Sequence, residues 1–259
     1  MKLPLWQVDA FSSRRFAGNP AAVVVLDDWL PDATLLAIAA ENNLSETAYL
    51  VRQGSDFRIR WFTPAVEVAL CGHATLASAW VVLERLEPGR ARVVFHSQSG
   101  PLPVERSSDR LVLDFPARRP ELGVDGRAMR EALGGAPREI FGGHAWLALY
   151  ESEAEVRALE PNMAALIATG VHAAIATAPG TDCDFVSRYF APAAGVPEDP
   201  VTGSAHTQLT PFWAERVGKQ LLFARQVSAR GGELWCTLEG ERVRIAGHVT
   251  PYLEGSIEV

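Results

Sequence analysis

The chain has 259 residues, of which 48% are hydrophobic and 21% are charged, and its formal net charge is −7. This length and composition can fill a substantial core in one large domain or in two domains of about 130 residues. The acidic balance, without any local cluster of Lys and Arg, argues against a nucleic-acid-binding protein.

Features of membrane, secreted and metal-binding proteins are not found in the sequence. It has no apolar signal segment near its start, and no run reaches the roughly 18 apolar residues of a membrane span. We therefore expect a cytoplasmic protein that does not bind membranes. The three cysteines, Cys71, Cys183 and Cys236, and the six histidines lack paired or metal-ligand spacing, so we predict neither a disulfide framework nor a metal site.

In chain order, the first half alternates strands with two helices. Pro31 and Asp32 open a helix that ends near Asn42 and Asn43, and an apolar helix over 74–86 follows Cys71-Gly72-His73. The turn-favouring Gly18-Asn19-Pro20 separates the first two strands. The predicted strands are 3–10, 21–26, 44–51, 57–62, 92–95 and 111–115.

The second half has a similar pattern after a segment over 116–127 that is rich in Pro, Arg and Gly and is the best domain boundary. Its long helix over 205–217 contains Pro211, stops at Gly218, and has Ser204 as its predicted N-cap. The predicted strands are 145–150, 173–178, 185–190, 221–226, 232–238 and 242–248.

An internal repeat relates the two halves. Phe57–Pro64, followed by Gly72-His73-Ala74, parallels Phe185–Pro192, followed by Gly203-Ser204-Ala205, at an offset of 128 residues. The repeat predicts an α+β fold of two similar pseudo-symmetric domains, each a curved, mostly antiparallel sheet wrapped around a central helix.

The predicted domain limits follow from the repeat and the boundary segment. The first domain covers 1–117 and the second 118–259, with room for the last few residues to return to the first domain. Ligands commonly bind where domains meet, so an active site is expected in the cleft between the two.

Polar residues near the two helix starts are the candidates for chemistry. Glu46 is either a solvated strand-end carboxylate or a general acid/base whose pKa is raised by partial burial. His73 either caps its helix or is an imidazole that stays neutral beside the positive end of the helix. Asp199, which precedes Pro200, is either a turn residue or an active-site residue. Unpaired amides at the helix start around Ser204 predict an anion site.

Three rival chemistries have weaker support. Ser204, His73 and Asp199 could form a hydrolase triad, but the Gly-X-Ser-X-Gly elbow is missing. Cys71 near a helix N-terminus could be a nucleophile, although a buried apolar role fits a lone cysteine better. The glycines before the two helices belong to no dinucleotide or P-loop pattern.

Five motifs occur together in this chain: Gln7-Val-Asp-Ala-Phe11, Gly18-Asn-Pro20, Asn43-Leu-Ser-Glu-Thr47, Cys71-Gly-His-Ala-Thr75 and Asp199-Pro-Val-Thr-Gly-Ser-Ala205. This set resembles the PhzF-like (phenazine biosynthesis protein) family over nearly the whole chain. The resemblance implies a diaminopimelate epimerase-like fold of two similar domains with the site between them, which agrees with the repeat. It also implies a homodimer that uses no cofactor.

The resemblance also implies roles for individual residues. Glu46 falls on the catalytic glutamate that moves a proton between substrate carbons, with His73 and Asp199 as further catalytic positions. Related epimerases and proline racemases use two opposed cysteines, but Thr202 stands at the second of those places, so a two-thiol racemase is not expected. The implied substrate-binding positions are Asn19, Ser45, Gly72, Ala74, Gly203 and Ser204.

The expected function is therefore that of a cofactor-independent isomerase that moves a proton between carbons of a small carboxylate-bearing metabolite. The alternative is a non-catalytic binding or scaffold protein on the same fold, and an epimerase or racemase is a weaker one. The sequence does not predict the substrate.

Overall fold

Two units of chain, each with its own strands and helices, make up the structure, a computed structural model that describes residues 1–122 and 124–259. Unit 1 comprises Met1–Asp114 and Ala246–Val259, and unit 2 comprises Phe115–Ile245. Within the described ranges, every helix is too short or too polar to cross a membrane.

Strands predominate in both units. The α-helices are α1 (Asp32–Asn42), α2 (Gly72–Val81), α3 (Arg127–Leu133), α4 (Glu153–Arg157), α5 (Met163–Ala168) and α6 (Gly203–Val217). A π-helix, Val82–Leu86, continues α2, and a 3-10 helix covers Pro192–Ala194. The strands are β1 (Lys2–Ala10), β2 (Asn19–Leu26), β3 (Glu46–Gln53), β4 (Asp56–Phe62), β5 (Glu67–Val68), β6 (Arg92–Ser97), β7 (Gly100–Ser107), β8 (Arg110–Pro116), β9 (Glu139–Phe141), β10 (Trp146–Leu149), β11 (Ala174–Pro179), β12 (Phe185–Ala191), β13 (Val196–Asp199), β14 (Leu221–Gln226), β15 (Gly232–Glu239), β16 (Arg242–Gly247) and β17 (Val249–Glu258).

The sheet of unit 1 has the order β17–β1–β2–β3–β4–β6–β7–β8. Neighbours are antiparallel except for the parallel pairs β2–β3 and β4–β6, and the short β5 pairs with the end of β4. The C-terminal strand β17 thus returns to the first unit and pairs with β1.

Unit 2 repeats this arrangement in the order β9–β10–β11–β12–β14–β15. The parallel pairs are β10–β11 and β12–β14, and the short β13 pairs with β12 as β5 does with β4. The same sequence of parallel and antiparallel pairs therefore occurs in both units, which confirms the predicted repeat and the α+β fold class.

The long helix of each unit is almost entirely buried. In α2 every residue except Trp80 is buried, and the helix contacts β1, β2 and β3. Alanine, glycine and hydroxyl residues dominate this helix, and their small side chains let the strands approach closely. The buried Ser78 hydroxyl donates to the carbonyl of Ala74 (2.7 Å), so the helix satisfies its own polar groups.

Apolar clusters fill the space between the remaining helices and the sheets. In unit 1, Leu35 and Ile38 of α1 pack against β1, β2 and β3, and the buried Tyr49 hydroxyl donates to the carbonyl of Leu35 (2.7 Å). In unit 2, Met129, Leu133 and Leu166 join the strands in a second cluster. The predicted end of α1 is confirmed because Asn43 adopts the left-handed conformation (φ 49°).

Candidate active site

A carboxylate and an imidazole meet inside unit 1. Glu46 is the first residue of β3, His73 is the second residue of α2, and their Oε2 and Nε2 atoms lie 3.3 Å apart. The side chains are only 16% and 4% exposed. The prediction of a solvated strand-end carboxylate at Glu46 is therefore wrong, and the two residues form a shielded pair.

The other ring nitrogen of His73 faces Asn19 and Cys71. The Asn19 amide nitrogen lies 3.1 Å from Nδ1, and the Cys71 sulfur lies 3.5 Å from the same atom. With the amide as donor, Nδ1 is the accepting nitrogen and Nε2 carries the proton. In this tautomer the protonated Nε2 is the nitrogen that lies beside the Glu46 carboxylate, 3.3 Å from its Oε2.

Burial lowers the pKa of His73 to about 3. We predicted a neutral ring from the positive end of the helix, but the physical cause is loss of solvation. The imidazole is therefore neutral throughout the physiological pH range. Beside Glu46 it is a neutral polar group and not a counter-charge.

Both long helices begin without a side-chain cap. The N-cap of α2 is Cys71 and that of α6 is Thr202, and neither side chain accepts a bond from the first helical turn. The short helices α4 and α5, by contrast, are capped by Ser152 and Asn162. First-turn amides that no side chain caps are suited to bind an anion such as a carboxylate.

The start of α6 corrects two sequence-based assignments. The helix begins at Gly203, so Ser204 lies inside the first turn and is not the N-cap. Thr202 occupies the cap position, but its hydroxyl donates to the carboxylate of Asp199. This bond orders the loop between β13 and α6. Helix α2 likewise begins at Gly72, two residues before its predicted start, so His73 lies inside the helix and is not its N-cap.

Gln226, at the end of β14, holds this loop and was missed by the sequence analysis. It is 1% exposed, its amide nitrogen donates to the Asp199 carbonyl (2.7 Å) and the Thr202 hydroxyl (3.2 Å), and its oxygen accepts from the Thr202 amide (2.8 Å). No local motif marks it, since a polar residue ending an apolar strand is usually solvated.

We expect Gln226→Leu to lower the free energy of unfolding by about 3 kcal/mol, because it leaves a buried amide and a buried carbonyl unpaired. Urea denaturation measures this change. Gln53→Leu, at the exposed end of β3, is the matched control and should change stability by less than about 0.5 kcal/mol. Equal effects of the two substitutions would show that the Gln226 bonds do not order the loop.

The repeat extends to partly buried ion pairs. Arg60 binds both carboxylate oxygens of Glu67 at 2.8 and 2.7 Å, and Arg188 binds both of Glu198 at 2.7 and 2.8 Å. The first pair joins β4 to β5, and the second joins β12 to β13. β5 and β13 are the short strands that precede the long helices α2 and α6. Glu198 is therefore a structural residue.

A second pair of equivalent bonds fixes the segments that precede the helices. The Ser99 hydroxyl donates to the Ala69 carbonyl (2.8 Å), and the Ser228 hydroxyl donates to the Pro200 carbonyl (2.7 Å). In both units, a serine hydroxyl therefore anchors the segment that precedes the long helix.

The acid–base residues do not follow the repeat. In unit 1, Thr47 of β3 pairs with Phe62 of β4, and in unit 2, Ala174 of β11 pairs with Phe190 of β12. Phe62 and Phe190 are equivalent in the repeat, so the residue equivalent to Glu46, one position before Thr47, is Ala173. Unit 2 likewise has Ser204 where unit 1 has His73. One unit therefore carries the carboxylate–imidazole pair, and the other carries alanine and serine.

Most of the predicted site residues of unit 1 lie near the Glu46–His73 pair. The predicted site residues of unit 2 lie near the start of α6. Ser45 and Ala74 are neighbours of the Glu46–His73 pair along the chain, and Ala74 is fully buried. Although the spacing predicted no metal site, side-chain atoms of Glu46, Cys71 and His73 lie within 4.8 Å of one another. Asp199 adjoins the start of α6, where Gly203 is buried and Ser204 is partly exposed.

A buried histidine in α6 should make stability depend on pH. Nδ1 of His206 donates to the Thr202 carbonyl (2.8 Å), and burial lowers its pKa to about 4. An unfolded histidine takes up a proton below a pH of about 6.5, whereas the folded one stays neutral to about 4. Stability should therefore fall as the pH falls between these values.

We expect His206→Asn, whose amide can donate to the same carbonyl, to flatten this dependence by about 1.4 kcal/mol per pH unit between pH values of about 4.5 and 6. Urea denaturation at several pH values provides the slopes. The same slope in variant and wild type would contradict the assignment.

Comparisons with known proteins agree with this geometry. The family model of the phenazine biosynthesis-like proteins, PhzC-PhzF, matches residues 8–255. A Pseudomonas aeruginosa protein described as an uncharacterized isomerase is 55% identical over 260 residues, with 100% of both chains covered. A crystal structure of a PhzF family protein from Enterococcus faecalis superposes with a TM-score of 0.97 at 42% identity, again over 100% of both chains. A hydroxyproline epimerase from Agrobacterium vitis shares the fold, with a TM-score of 0.64 at 12% identity over 99% of this chain and 92% of the other.

Proposed function

Because the chain belongs to the phenazine biosynthesis-like PhzC-PhzF family, we propose that it is a cofactor-independent isomerase that moves a proton between carbons of a small carboxylate-bearing metabolite. The observation that carries the proposal is the shielded contact between Glu46 Oε2 and His73 Nε2. A carboxylate that is largely removed from water and lies beside a neutral imidazole is suited to take a proton from carbon and return it.

The proposed reaction uses Glu46 as both base and acid. Its carboxylate removes a proton from a carbon next to a π system, and the electron pair of that C–H bond delocalises into the system. The protonated Glu46 then gives its proton to a second carbon, which restores the carboxylate and completes the isomerisation. No other base is required, in keeping with Ala173 at the equivalent position of unit 2.

His73 is proposed to position Glu46 without competing for its proton. A ring whose pKa is about 3 does not become protonated near neutral pH, so the proton removed from substrate stays on the carboxylate. The 3.3 Å contact with Nε2 also restricts the rotamer of Glu46. Asn19 and Cys71 at Nδ1 support this tautomer.

The remaining predicted site residues are assigned to substrate binding. We propose that uncapped helix-start amides, at Gly72 in α2 and at Gly203 in α6, bind substrate carboxylate and stabilise developing negative charge, and that Ser45 and Ser204 also bind substrate. Asp199 is proposed to orient the substrate or to relay protons. These assignments rest on the repeat and on the family resemblance, and homodimer formation stays a prediction.

An experiment on unfractionated metabolites tests the function without a known substrate. The purified protein is incubated with a small-molecule cell extract in D₂O. Because Glu46 is 16% exposed, the proton on its carboxyl group exchanges with solvent deuterium before it is returned to carbon. Mass spectrometry then searches for carboxylates that gain one deuterium. We expect at least one such metabolite with active protein and none with heat-denatured protein. Ligand binding in a thermal-shift screen without any deuteration would favour the non-catalytic binding protein instead.

A further inference from the structure

We propose that Glu46, Cys71 and His73 form a binding site for a thiophilic divalent cation, Zn²⁺ being the best match, and that the bound ion switches the proposed active site off. The three residues come from two elements of unit 1, the start of β3 and the start of α2. Inhibition rests on the proposed function, whereas metal binding does not.

The distances are compatible with a tetrahedral ion. Zn–S bonds of about 2.3 Å and Zn–N bonds of about 2.0 Å put the two ligand atoms about 3.5 Å apart. The Cys71 sulfur and His73 Nδ1 are 3.5 Å apart. All three ligand atoms lie within 4.8 Å of one another, so the widest pair must approach by about 1 Å. Rotation of the Glu46 side chain can supply that movement.

The ligand chemistry selects the metal. A thiolate, a neutral imidazole and a carboxylate form a set that zinc binds well, while Mg²⁺ and Ca²⁺ prefer oxygen ligands alone. A ring nitrogen without a proton is the form that coordinates a metal, and the Asn19 amide nitrogen that lies 3.1 Å from Nδ1 fits an unprotonated Nδ1. The Cys71 thiol must give up its proton, so each bound Zn²⁺ replaces one S–H bond with an S–Zn bond and releases one proton to the buffer.

Charge and burial support the same site. Two negative ligands neutralise the charge of Zn²⁺, and Cys71 and His73 are 6% and 4% exposed. Glu46 is 16% exposed, so the ion can enter on its side. The equivalent positions of unit 2 carry Ala173, Thr202 and Ser204, which cannot form this ligand set.

Zinc would block the proposed reaction directly. The carboxylate oxygen of Glu46 that binds the ion is no longer a base for a substrate carbon, and Nδ1 of His73 loses its donor from Asn19. A fourth coordination position stays open, as in zinc sites with three protein ligands.

Calorimetric titration with ZnCl₂ alone tests binding in protein that has been treated with EDTA and desalted. We expect one Zn²⁺ per chain in the wild type, no heat with MgCl₂, and affinity lower by about tenfold or more in Cys71→Ser. Cys183→Ser, which removes a partly buried thiol of unit 2, is the matched control and should bind as tightly as the wild type. Glu46→Gln is the second ligand variant, also expected to lose at least about tenfold, should Cys71→Ser fail to fold.

Co²⁺ provides a spectroscopic check because a thiolate ligand produces a charge-transfer band in the near ultraviolet. The band is expected in the wild type and in Cys183→Ser, and its loss is expected in Cys71→Ser. Absence of zinc binding by the wild type, or equal affinity in Cys71→Ser, would overturn the site. Zinc binding by the wild type without loss of deuterium transfer would overturn the proposed inhibition. A wild type that transfers no deuterium would refute the proposed function, but the calorimetric result on zinc binding would still stand.

Discussion

Glu46→Gln is expected to lower the rate of substrate deuteration by about 10³-fold, because an amide cannot carry the proton that the carboxylate transfers. Glutamine has nearly the same volume and shape as glutamate, so the fold should persist. The rate of deuterium incorporation into the metabolite found in the extract assay measures the effect.

Glu41→Gln is the matched control for this substitution. Glu41 lies on the exposed side of α1, five residues before Glu46, and should leave the rate unchanged. A similar loss in both variants would refute a specific role for Glu46, as would wild-type deuteration by Glu46→Gln.

Arg188→Met should have the largest effect on stability, a loss of about 3–5 kcal/mol, because it leaves a partly buried carboxylate without its partner. Besides its two bonds to Glu198, the guanidinium donates to the carbonyls of Val156 and Leu159 at 3.2 and 2.8 Å. The side chains of Arg188 and Glu198 are 13% and 23% exposed. Urea denaturation with circular dichroism measures the change.

Two further variants isolate the cause. Arg157→Met removes a guanidinium that is 52% exposed and pairs with Glu153 within α4, and should cost less than about 0.5 kcal/mol. The double variant Arg188→Met/Glu198→Met should be more stable than Arg188→Met, because it removes the unpaired charge. A double variant that is less stable than the single one would contradict this explanation.

The repeat was visible in the sequence because it depends on local patterns. Apolar alternation marks β4 and β12, and a glycine marks each helix entry, so these features are encoded within short segments. The Arg60–Glu67 and Arg188–Glu198 pairs belong to the same repeat, but charged residues seven to ten positions apart carry no recognised spacing rule. Their pairing depends on strands that meet only in the fold.

Two of the strands that the sequence analysis missed, β7 and β17, could not be predicted because their stability is not local. β7 contains Pro101 and Pro103, which argue against a strand in the sequence. Both lie before Val104, where pairing with β8 begins, so the prolines remove no bond on that side. β17 is mostly exposed and lacks apolar alternation, and it forms because its backbone pairs with β1 from the other end of the chain.

The candidate site was predictable as a set of residues but not as a geometry. Glu46 and His73 were identified, yet their contact depends on β3 and α2 packing together. The role of Gln226 and the position of Thr202 as the N-cap depend on tertiary contacts of the β13–α6 loop. The same limitation concealed the grouping of Cys71 with Glu46 and His73.

The most direct test of the central claim compares deuterium transfer by Glu46→Gln and Cys71→Ser on the same metabolite. If the carboxylate is the base, Glu46→Gln should lose at least about tenfold more activity than Cys71→Ser. If Cys71→Ser loses transfer completely while Glu46→Gln retains it, the base is the thiol, and the assignment of Glu46 is wrong.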